Sequence, residues 1–260
     1  MSAQALEVVA DGTALQARGL RKVFGSGDDA TVALDGVDLD IRAGEFVTVV
    51  GASGCGKSTL LNIFAGLDAP TSGTVWTATK PALMFQDATL LPWLTAQRNV
   101  ELALKLRGVP RAQRAERARQ LLNVVRLTGW EDKRPHELSG GMRQRVSLAR
   151  CLAQDTSIVL MDEPLGALDA MTRDHLHDEI ESVVQEQNLT VVFVTHNMRE
   201  AVRLGDRVIL MGSRPGRIVY ETVIDLPHPR LMDSTGVAER AADLTTRLKA
   251  GKAYLEGADS

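Results

Sequence analysis

The chain has 260 residues, of which 44% are hydrophobic and 24% are charged, and its formal net charge at pH 7 is -3. This composition is typical of a globular protein that can bury a core, and it excludes fibrous and largely disordered classes. The slightly acidic balance gives the whole protein no general attraction to nucleic acid, so we expect no nucleic-acid partner.

The cysteines, the apolar runs and the amino terminus indicate in which cellular compartment the chain is expected. Cys55 and Cys151 are too few for a disulfide framework and fit a reducing environment. The longest apolar runs are far shorter than the roughly 20 residues that cross a bilayer, so no membrane span is expected. The amino terminus, "MSAQALEVVADGTA", lacks the layout of an export signal, which predicts a cytosolic chain.

The order of predicted elements indicates an α/β protein. Up to about residue 81 the sequence predicts short strands and turns. The apolar runs at residues 46–50, 157–161 and 190–194 are typical of buried parallel strands, and each precedes a candidate helix. Residues 95–153 instead carry helix formers, with Ala115, Ala118, Leu122 and Val125 on one stripe, which predicts a helical subdomain. A strand, a Pro-Gly turn and a strand follow, and then a tail with one weak helix near residues 238–248.

The segment "GASGCGKST", residues 51–59, matches the phosphate-binding pattern G-x-x-x-x-G-K-[ST] between a predicted strand and a predicted helix. In such a P-loop, glycines let successive N–H groups point at phosphate oxygens, aided by the helix dipole. Lys57 would add a point charge and the Ser58 hydroxyl would ligate magnesium. The alternative is a tight glycine-rich turn with an exposed lysine.

Polar residues follow two other predicted strands, at the edge of the sheet where ligands bind in parallel α/β folds. Asp162 and Glu163 end one of these strands and His196 follows the other. Since adjacent strand residues point to opposite faces, we expect one acid to hold magnesium and the other to act as a base on water. The alternatives are a helix cap for the acids and a structural role for the histidine.

The stretch "LSGGMRQRVSLAR" places Ser139, Gly140 and Gly141 at the start of an amphipathic helix. Bare N–H groups and the helix dipole make this an anion site. Because the first phosphate site already lies at Lys57, a second copy of the chain would explain such a site: the P-loop of one copy would face the Ser-Gly-Gly of the other. From these residues alone an ordinary N-cap by Ser139 is favoured, because serine caps are common.

The ordered set "GASGCGKST", Gln86 in "MFQDATLLPW", "LSGGMRQR", "IVLMDEP", "GALDA" and "VTH" resembles the ATP-binding subunit of ABC transporters over almost the whole chain. The resemblance implies a head-to-tail dimer that holds two ATP molecules with Mg2+. Each ATP would contact Gly51, Ser53, Gly54, Cys55, Gly56, Lys57, Ser58 and Thr59 of one copy and Ser139, Gly140 and Gly141 of the other.

The same resemblance implies a role for each remaining motif residue. Glu163 would be the general base, Asp162 the magnesium-side acid and His196 the γ-phosphate sensor. Asp169 would contact the second copy, and Gln86 would touch magnesium and sense the membrane partner. Phe24 stands where the family stacks an aromatic ring on adenine, although a core phenylalanine is the alternative.

Pattern and resemblance together predict an α/β P-loop NTPase core of the RecA-like type, with a mainly parallel sheet, an N-terminal antiparallel β region and an inserted α-helical subdomain. The expected boundaries are residues 1–92 and 155–228 for the core, 93–154 for the helical subdomain and 229–260 for the tail.

Longer matches are similar to the ATPases of bacterial importers for nitrate and for sulfonates such as taurine: "QDATLLPWLTAQRNV", "RPHELSGGMRQR", "DAMTRDHLHDE", and "SRPGRIV" followed by "DLPHPR". The resemblance implies a separate permease, an external solute-binding protein and a position on the cytoplasmic face of the cell membrane. Residues 87–99, which include Leu90, Leu91, Pro92 and Trp93, are expected to receive a permease helix, with packing against the chain's own core as the alternative.

Other P-loop classes fit the sequence less well. A small-molecule kinase has no use for "LSGGMRQR", and a DNA-repair ATPase of this superfamily needs a long coiled coil between Gln86 and Ser139. A non-catalytic scaffold would lack Lys57 or Glu163, and both are present. The segment "RAQRAERAR" could suggest RNA, but interleaved glutamate favours a solvated helix face.

Overall fold

The computed structural model describes residues 12–166, 168–213 and 215–258, with side chains described except at residues 28, 170, 171 and 251–258. The prediction that the chain has no export signal was made from residues 1–14, and residues 1–11 lie outside the described residues. The strands are β1 (Thr13–Phe24), β2 (Thr31–Arg42), β3 (Phe46–Gly51), β4 (Ser72–Thr77), β5 (Ala82–Met84), β6 (Ile158–Asp162), β7 (Thr190–Thr195), β8 (Arg207–Gly212) and β9 (Arg217–Val223). The α-helices are α1 (Lys57–Phe64), α2 (Ala96–Leu106), α3 (Arg111–Val124), α4 (Gly140–Leu152), α5 (Ala170–Glu186), α6 (Met198–Leu204) and α7 (Thr235–Ala258).

The strands form two sheets. The larger is six-stranded, in the order β5-β6-β7-β3-β8-β9, and every pair is parallel except β8 with β9. The smaller is three-stranded, in the order β2-β1-β4, and is antiparallel. The expected α/β fold, with a mainly parallel sheet and an N-terminal antiparallel region, is confirmed.

The large sheet has a buried core on both faces. One face, with Val49, Leu160 and Val194, packs against α1 and the small sheet, whereas the other, with Met161 and Phe193, packs against the helices α2–α5. Successive side chains along a strand point to opposite faces of the sheet, so a strand that is buried on both faces needs apolar side chains at every position. This double burial explains why β3 and β7 are continuous apolar runs.

Two strands of the small sheet are longer than the sequence suggested. β1 and β2 span 12 residues each, and their pairing shifts register between Ala17 and Leu20 and again beyond. Such irregularities interrupt the alternation of side chains, which hides the full length of these strands in the sequence. The prediction of short strands was wrong for β1 and β2, whereas β4 has only six residues.

The helices α2, α3 and α4 lie between β5 and β6 in the sequence and add to the core on one face of the large sheet. Ala118 and Leu122 of α3 are fully buried, and Val125 just after it is nearly so. Ala115 is only half-buried. The domain boundaries proposed above stay predictions. Among the residues that the structure describes, no helix has the length and apolar character needed to cross a bilayer.

Candidate active site

A glycine-rich loop, residues 51–59, joins the carboxyl end of β3 to the first turn of α1. A Cβ on Gly51 would lie 2.5 Å from the Cys55 sulfur and 2.7 Å from the Met211 carbonyl oxygen, so no larger residue fits. Gly56 caps α1 in the left-handed region, with a φ of 96°. Gly54 shares that region, Ser53 and Ser58 are exposed, and Thr59 is half-buried. The loop geometry therefore depends on its glycines, and its N–H groups lie at a helix start.

Lys57 is not an exposed lysine on a turn, since its side chain is only 5% exposed. Its ammonium donates to the carbonyl oxygens of Gly51 at 2.8 Å and Ala52 at 3.1 Å. It also lies 3.9 Å from Glu163 Oε1. A lysine ammonium has three protons, and a phosphate oxygen is a stronger acceptor than a carbonyl. The Lys57 ammonium is thus held beside the glycine-rich loop, where a phosphate oxygen could replace its carbonyl partners.

Asp162 ends β6 beside the loop. Burial raises the pKa of its carboxyl, and the negative charge of Glu163 raises it further, while a hydrogen bond from the Ser58 side chain and the charge of Lys57 lower it. The Ser58 hydroxyl and the Asp162 carboxylate are neighbouring oxygen donors of the kind that hard cations prefer. The part of the chain that the structure describes holds no cluster of three His, Cys, Asp or Glu side chains suited to a metal ion.

Glu163 departs from the expected strand geometry. Its φ is 45°, in the left-handed region, although its N–H still donates to the Val194 carbonyl oxygen at 3.0 Å. Strand β6 ends at Asp162 and the chain turns at Glu163, so the strand alternation on which the opposite-faces prediction rested does not extend to Glu163, and that prediction stays untested. Glu163 Oε2 is 2.9 Å from Nδ1 of His196, which is otherwise exposed. The two acids differ in their hydrogen-bond partners, which are Ser58 for Asp162 and His196 for Glu163.

Gln86 follows β5 and lies next to the turn after Glu163. A Cβ on Gly166 would be 3.3 Å from Gln86 Nε2 and 3.9 Å from Glu163 Oε2. The backbone carbonyl of Gln86 accepts a hydrogen bond of 2.6 Å from Nε2 of Gln144, a buried residue of α4. The structure therefore brings Gln86, Glu163, His196 and Lys57 to one edge of the large sheet.

The Ser-Gly-Gly stretch begins α4. The exposed Ser139 caps this helix, because its Oγ accepts from Met142 N at 3.2 Å. The ordinary N-cap is thus present, and the hydroxyl hydrogen is still available to donate. The nearest neighbours of a Cβ on Gly140 or Gly141 belong to Leu168 and Thr172, not to the P-loop.

Asp169 stands beside this helix start. Its Oδ1 caps α5 by accepting from Thr172 N at 3.0 Å. Since Thr172 also touches Gly141, the starts of α4 and α5 lie side by side. The "GALDA" motif includes Ala167, which lies outside the described residues.

Phe24 ends β1 with its ring 45% exposed, so it is not a core residue. The Lys22 ammonium lies 4.8 Å from the ring centroid. Stacking of this ring on adenine stays a prediction.

Residues 87–99 divide between core and surface. Leu90 packs against the core, whereas Trp93 is 67% exposed and Pro92 is also exposed. Asn99 donates to the carbonyl oxygens of Leu91, Leu94 and Thr95. Packing against the chain's own core therefore holds for Leu90, and the permease contact stays a prediction for the exposed side chains.

Sequence reasoning missed the residues that hold this segment in place. Arg150 of α4 donates to the carbonyl oxygens of Ala88 and Thr89 at 3.3 and 2.9 Å. Gln144 and Arg150 are polar positions on the largely buried helix α4. That polarity was a signal that could have identified them.

Comparison with known proteins agrees with this geometry. The family profile described as ABC transporter matches residues 34–166. The taurine import ATP-binding protein TauB of Burkholderia pseudomallei is 46% identical over 211 residues, which cover 78% of this chain and 81% of that protein. The nitrate import ATP-binding protein NrtD of Synechocystis is 43% identical over 221 residues, which cover 82% and 83%. A solved dimer of the ATP-binding cassette MJ0796 bound to ADP and Pi is 34% identical with a TM-score of 0.71, and the match covers 82% of this chain and 100% of that one.

Proposed function

Because this chain belongs to the ABC transporter family and is one of its ATP-hydrolysing members, we propose that it powers the import of a small anionic solute through a separate membrane permease. The names of the taurine and nitrate relatives support this class of solute. In this proposal an external binding protein captures the solute, and the ATPase works at the cytoplasmic face of the cell membrane.

The observation that carries the proposal is the division of the site into two halves. Lys57, Glu163 and His196 converge at the end of the large sheet. Ser139 is exposed at the start of α4, and the nearest neighbours of a Cβ on Gly140 or Gly141 belong to Leu168 and Thr172 rather than to the P-loop. A helix N-terminus binds anions through its free N–H groups and its dipole. Two copies arranged head to tail would bring the halves together around each ATP, and the dimeric state of the solved MJ0796 cassette supports such a pairing.

The chemistry then depends mainly on positioning and charge. Lys57 and the start of α1 hold the phosphates, and the Ser139 helix start of the second copy approaches the γ-phosphate. Glu163 accepts a proton from the attacking water, while its bond to His196 fixes the carboxylate. Ser58, Asp162 and Gln86 would hold Mg2+, which neutralises phosphate charge when bound. Their oxygen donors include one carboxylate, that of Asp162, and Mg2+ is usually bound through one or two carboxylates together with substrate phosphates and waters.

The proposed permease contact is the exposed part of residues 87–99. Trp93 borders a groove of about 740 Å³ whose lining includes Arg98, Arg111 and Arg114. Adjoining exposed apolar side chains can indicate a partner site, and Pro92 and Trp93 are both exposed beside this groove. Crosslinking from Trp93→Cys to the permease should succeed in the assembled complex. Trp76→Cys, an exposed tryptophan position on the small sheet, is the matched control, and equal crosslinking from both positions would contradict the assignment.

The decisive experiment is complementation between two inactive variants. Lys57→Ala removes the phosphate site of its own chain, and Ser139→Arg blocks the half that it offers to a partner. In a one-to-one mixture, half of the dimers are mixed and each has one intact site, so about a quarter of the native turnover is expected. If both halves served the same chain's nucleotide, the mixture would stay inactive.

Dilution gives an independent measurement of the same arrangement. A site shared by two copies should lose ATP turnover per molecule as protein concentration falls below the dimer affinity, because binding follows mass action. Turnover at full rate by a protomer that is kept from pairing would contradict the proposal.

A further inference from the structure

A set of buried polar side chains is hydrogen-bonded to Thr195, the residue immediately before His196. His177 of α5 is 0% exposed, Glu200 of α6 is 5% exposed and Arg203 of α6 is 3% exposed. Buried charged groups are costly unless each is paired and hydrogen-bonded. The proposed chemistry uses none of these three residues, so their presence in the core calls for a separate reason.

The hydrogen bonds of this set have a defined direction. Arg203 NH1 lies 3.2 Å from His177 Nδ1, and His177 Nε2 lies 2.8 Å from Glu200 Oε1. Because an arginine can only donate, Nδ1 must accept and the ring proton must sit on Nε2. His177 therefore donates to Glu200. The other carboxylate oxygen of Glu200 accepts a short hydrogen bond from the Thr195 hydroxyl.

Thr195 is where this set meets the active site. It is the last residue of β7 and immediately precedes His196. Its Oγ1 donates to Glu200 and accepts from Asn197 N at 3.0 Å, so it holds the backbone on both sides of the histidine. Asn197 in turn caps α6 by accepting from the N–H groups of Arg199 and Glu200. The corner that carries His196 is thus fixed through one hydroxyl.

The buried side chains of His177 and Arg203 also connect this set to α5, whose start lies beside the Ser-Gly-Gly stretch that would face the second copy in the proposed dimer. His177 lies on α5, whose first turn is capped by Asp169 and touches Gly141 through Thr172. Arg203 also forms an ion pair with Asp178 of α5. A continuous chain of contacts therefore joins the start of α5 to the corner at His196.

We propose that Glu200, held by His177, is a positioning residue for the His196–Glu163 pair and acts through the Thr195 hydroxyl. The inference rests on the proposed function, because it assumes that this pair acts in hydrolysis. A carboxylate fixed by two donors in a buried site has little freedom, so the histidine corner keeps one orientation. A shift of about 1 Å at a reacting group can cost on the order of a hundredfold in rate.

The test compares two substitutions of the same hydroxyl in the full chain. Thr195→Val keeps the shape but removes the donor to Glu200 and the acceptor for Asn197 N, whereas Thr195→Ser keeps the hydroxyl. We expect the valine variant to lose about 10- to 100-fold in kcat with little change in the dissociation constant of ATP. The serine variant should keep kcat within a few-fold of the native value.

Thr48→Val is the matched control for loss of a buried threonine hydroxyl. Thr48 is 0% exposed, lies on the neighbouring strand β3, and its Oγ1 donates to Ala201 O of the same helix α6 at 3.3 Å. It should shift the thermal unfolding midpoint in the same direction as Thr195→Val but keep kcat. Equal losses of kcat in the two variants would show that the hydroxyls act only on stability and would overturn the proposal.

A double-mutant cycle separates this inference from the proposed function. If Thr195 and Glu200 act through the histidine, Thr195→Val should cause no further loss of kcat in a His196→Ala background. Additive losses would overturn the inference, as would native turnover by Thr195→Val alongside a slow His196→Ala. A His196→Ala variant with native turnover would instead contradict the proposed role of His196.

Discussion

Replacement of Glu163 by glutamine tests the assignment of the general base. The change keeps the size of the side chain and its contact with His196 Nδ1, 2.9 Å away, because an amide can also hydrogen-bond there. It removes the carboxylate that is proposed to take the proton from water. Loss of a general base costs about 100- to 10,000-fold in rate, which is about 2.7–5.4 kcal/mol of barrier at about 1.36 kcal/mol per tenfold.

The same change should leave ATP binding intact or strengthen it. Glu163 Oε1 lies 3.9 Å from the Lys57 ammonium, so the carboxylate competes with a phosphate for this cation. Its negative charge also contributes to the raised pKa of Asp162, whose carboxyl should therefore ionise more readily in the variant. With binding retained and hydrolysis slowed, the ATP-bound dimer should accumulate.

Steady-state phosphate release, equilibrium ATP binding and size-exclusion chromatography with ATP measure these three effects. Glu181→Gln is the matched control, because Glu181 also pairs with a histidine, His228, at 2.6 Å, with its side chain 14% exposed against 21% for Glu163. The control should hydrolyse ATP at the native rate. Native turnover by Glu163→Gln would refute the assignment of the base.

Three further predictions concern separate parts of the molecule. Ser139→Arg should abolish turnover yet leave ATP binding by the monomer unchanged in a nucleotide titration, and lost binding would place Ser139 in its own chain's pocket. Asp162→Asn should raise the melting temperature of the nucleotide-free protein at neutral pH. Burial raises the pKa of this carboxyl, so its ionised form destabilises the fold above that pKa; the gain should vanish as the pH falls below the ordinary aspartate pKa of 3.8, and a gain independent of pH would contradict this cause. Arg230→Ala should lower the free energy of unfolding by about 3 kcal/mol or more in urea denaturation, because Arg230 is buried and donates to the carbonyl oxygens of Val202, Gly205, Ile224 and Leu226. A loss no larger than that of the more exposed Arg240→Ala would contradict it.

The local features of the site were predictable because each depends on few neighbouring residues. The P-loop pattern specifies its own glycine geometry, and the structure shows why at Gly51, where a Cβ would collide with Cys55. The buried strands were predictable since burial on both faces leaves a continuous apolar run. Parallel order then places the ends of β3, β6 and β7 at one edge, which brought Lys57, Glu163 and His196 together.

Features that depend on distant partners were not predictable in this way. The left-handed φ of Glu163 follows from a turn that the pattern "IVLMDEP" does not reveal, so alternation was assumed where it ends. The residues around His177 in the sequence carry no pattern that indicates its hydrogen-bond partner. Only the folded chain shows that Glu200, 23 positions later, accepts a hydrogen bond from its ring.

The packing of α4 gives a physical route between ATP and the membrane partner. In the proposed dimer, Ser139 at one end of α4 would meet the second copy, and Gln144 and Arg150 further along α4 donate to the carbonyl oxygens of residues 86, 88 and 89. Trp93 follows this anchored segment and is exposed. A packed helix moves as a body because interiors have little free volume. Movement of the Ser139 end of α4 toward a γ-phosphate would therefore displace the loop that carries Trp93, or else break these three hydrogen bonds, which contribute about 0.5–3 kcal/mol each.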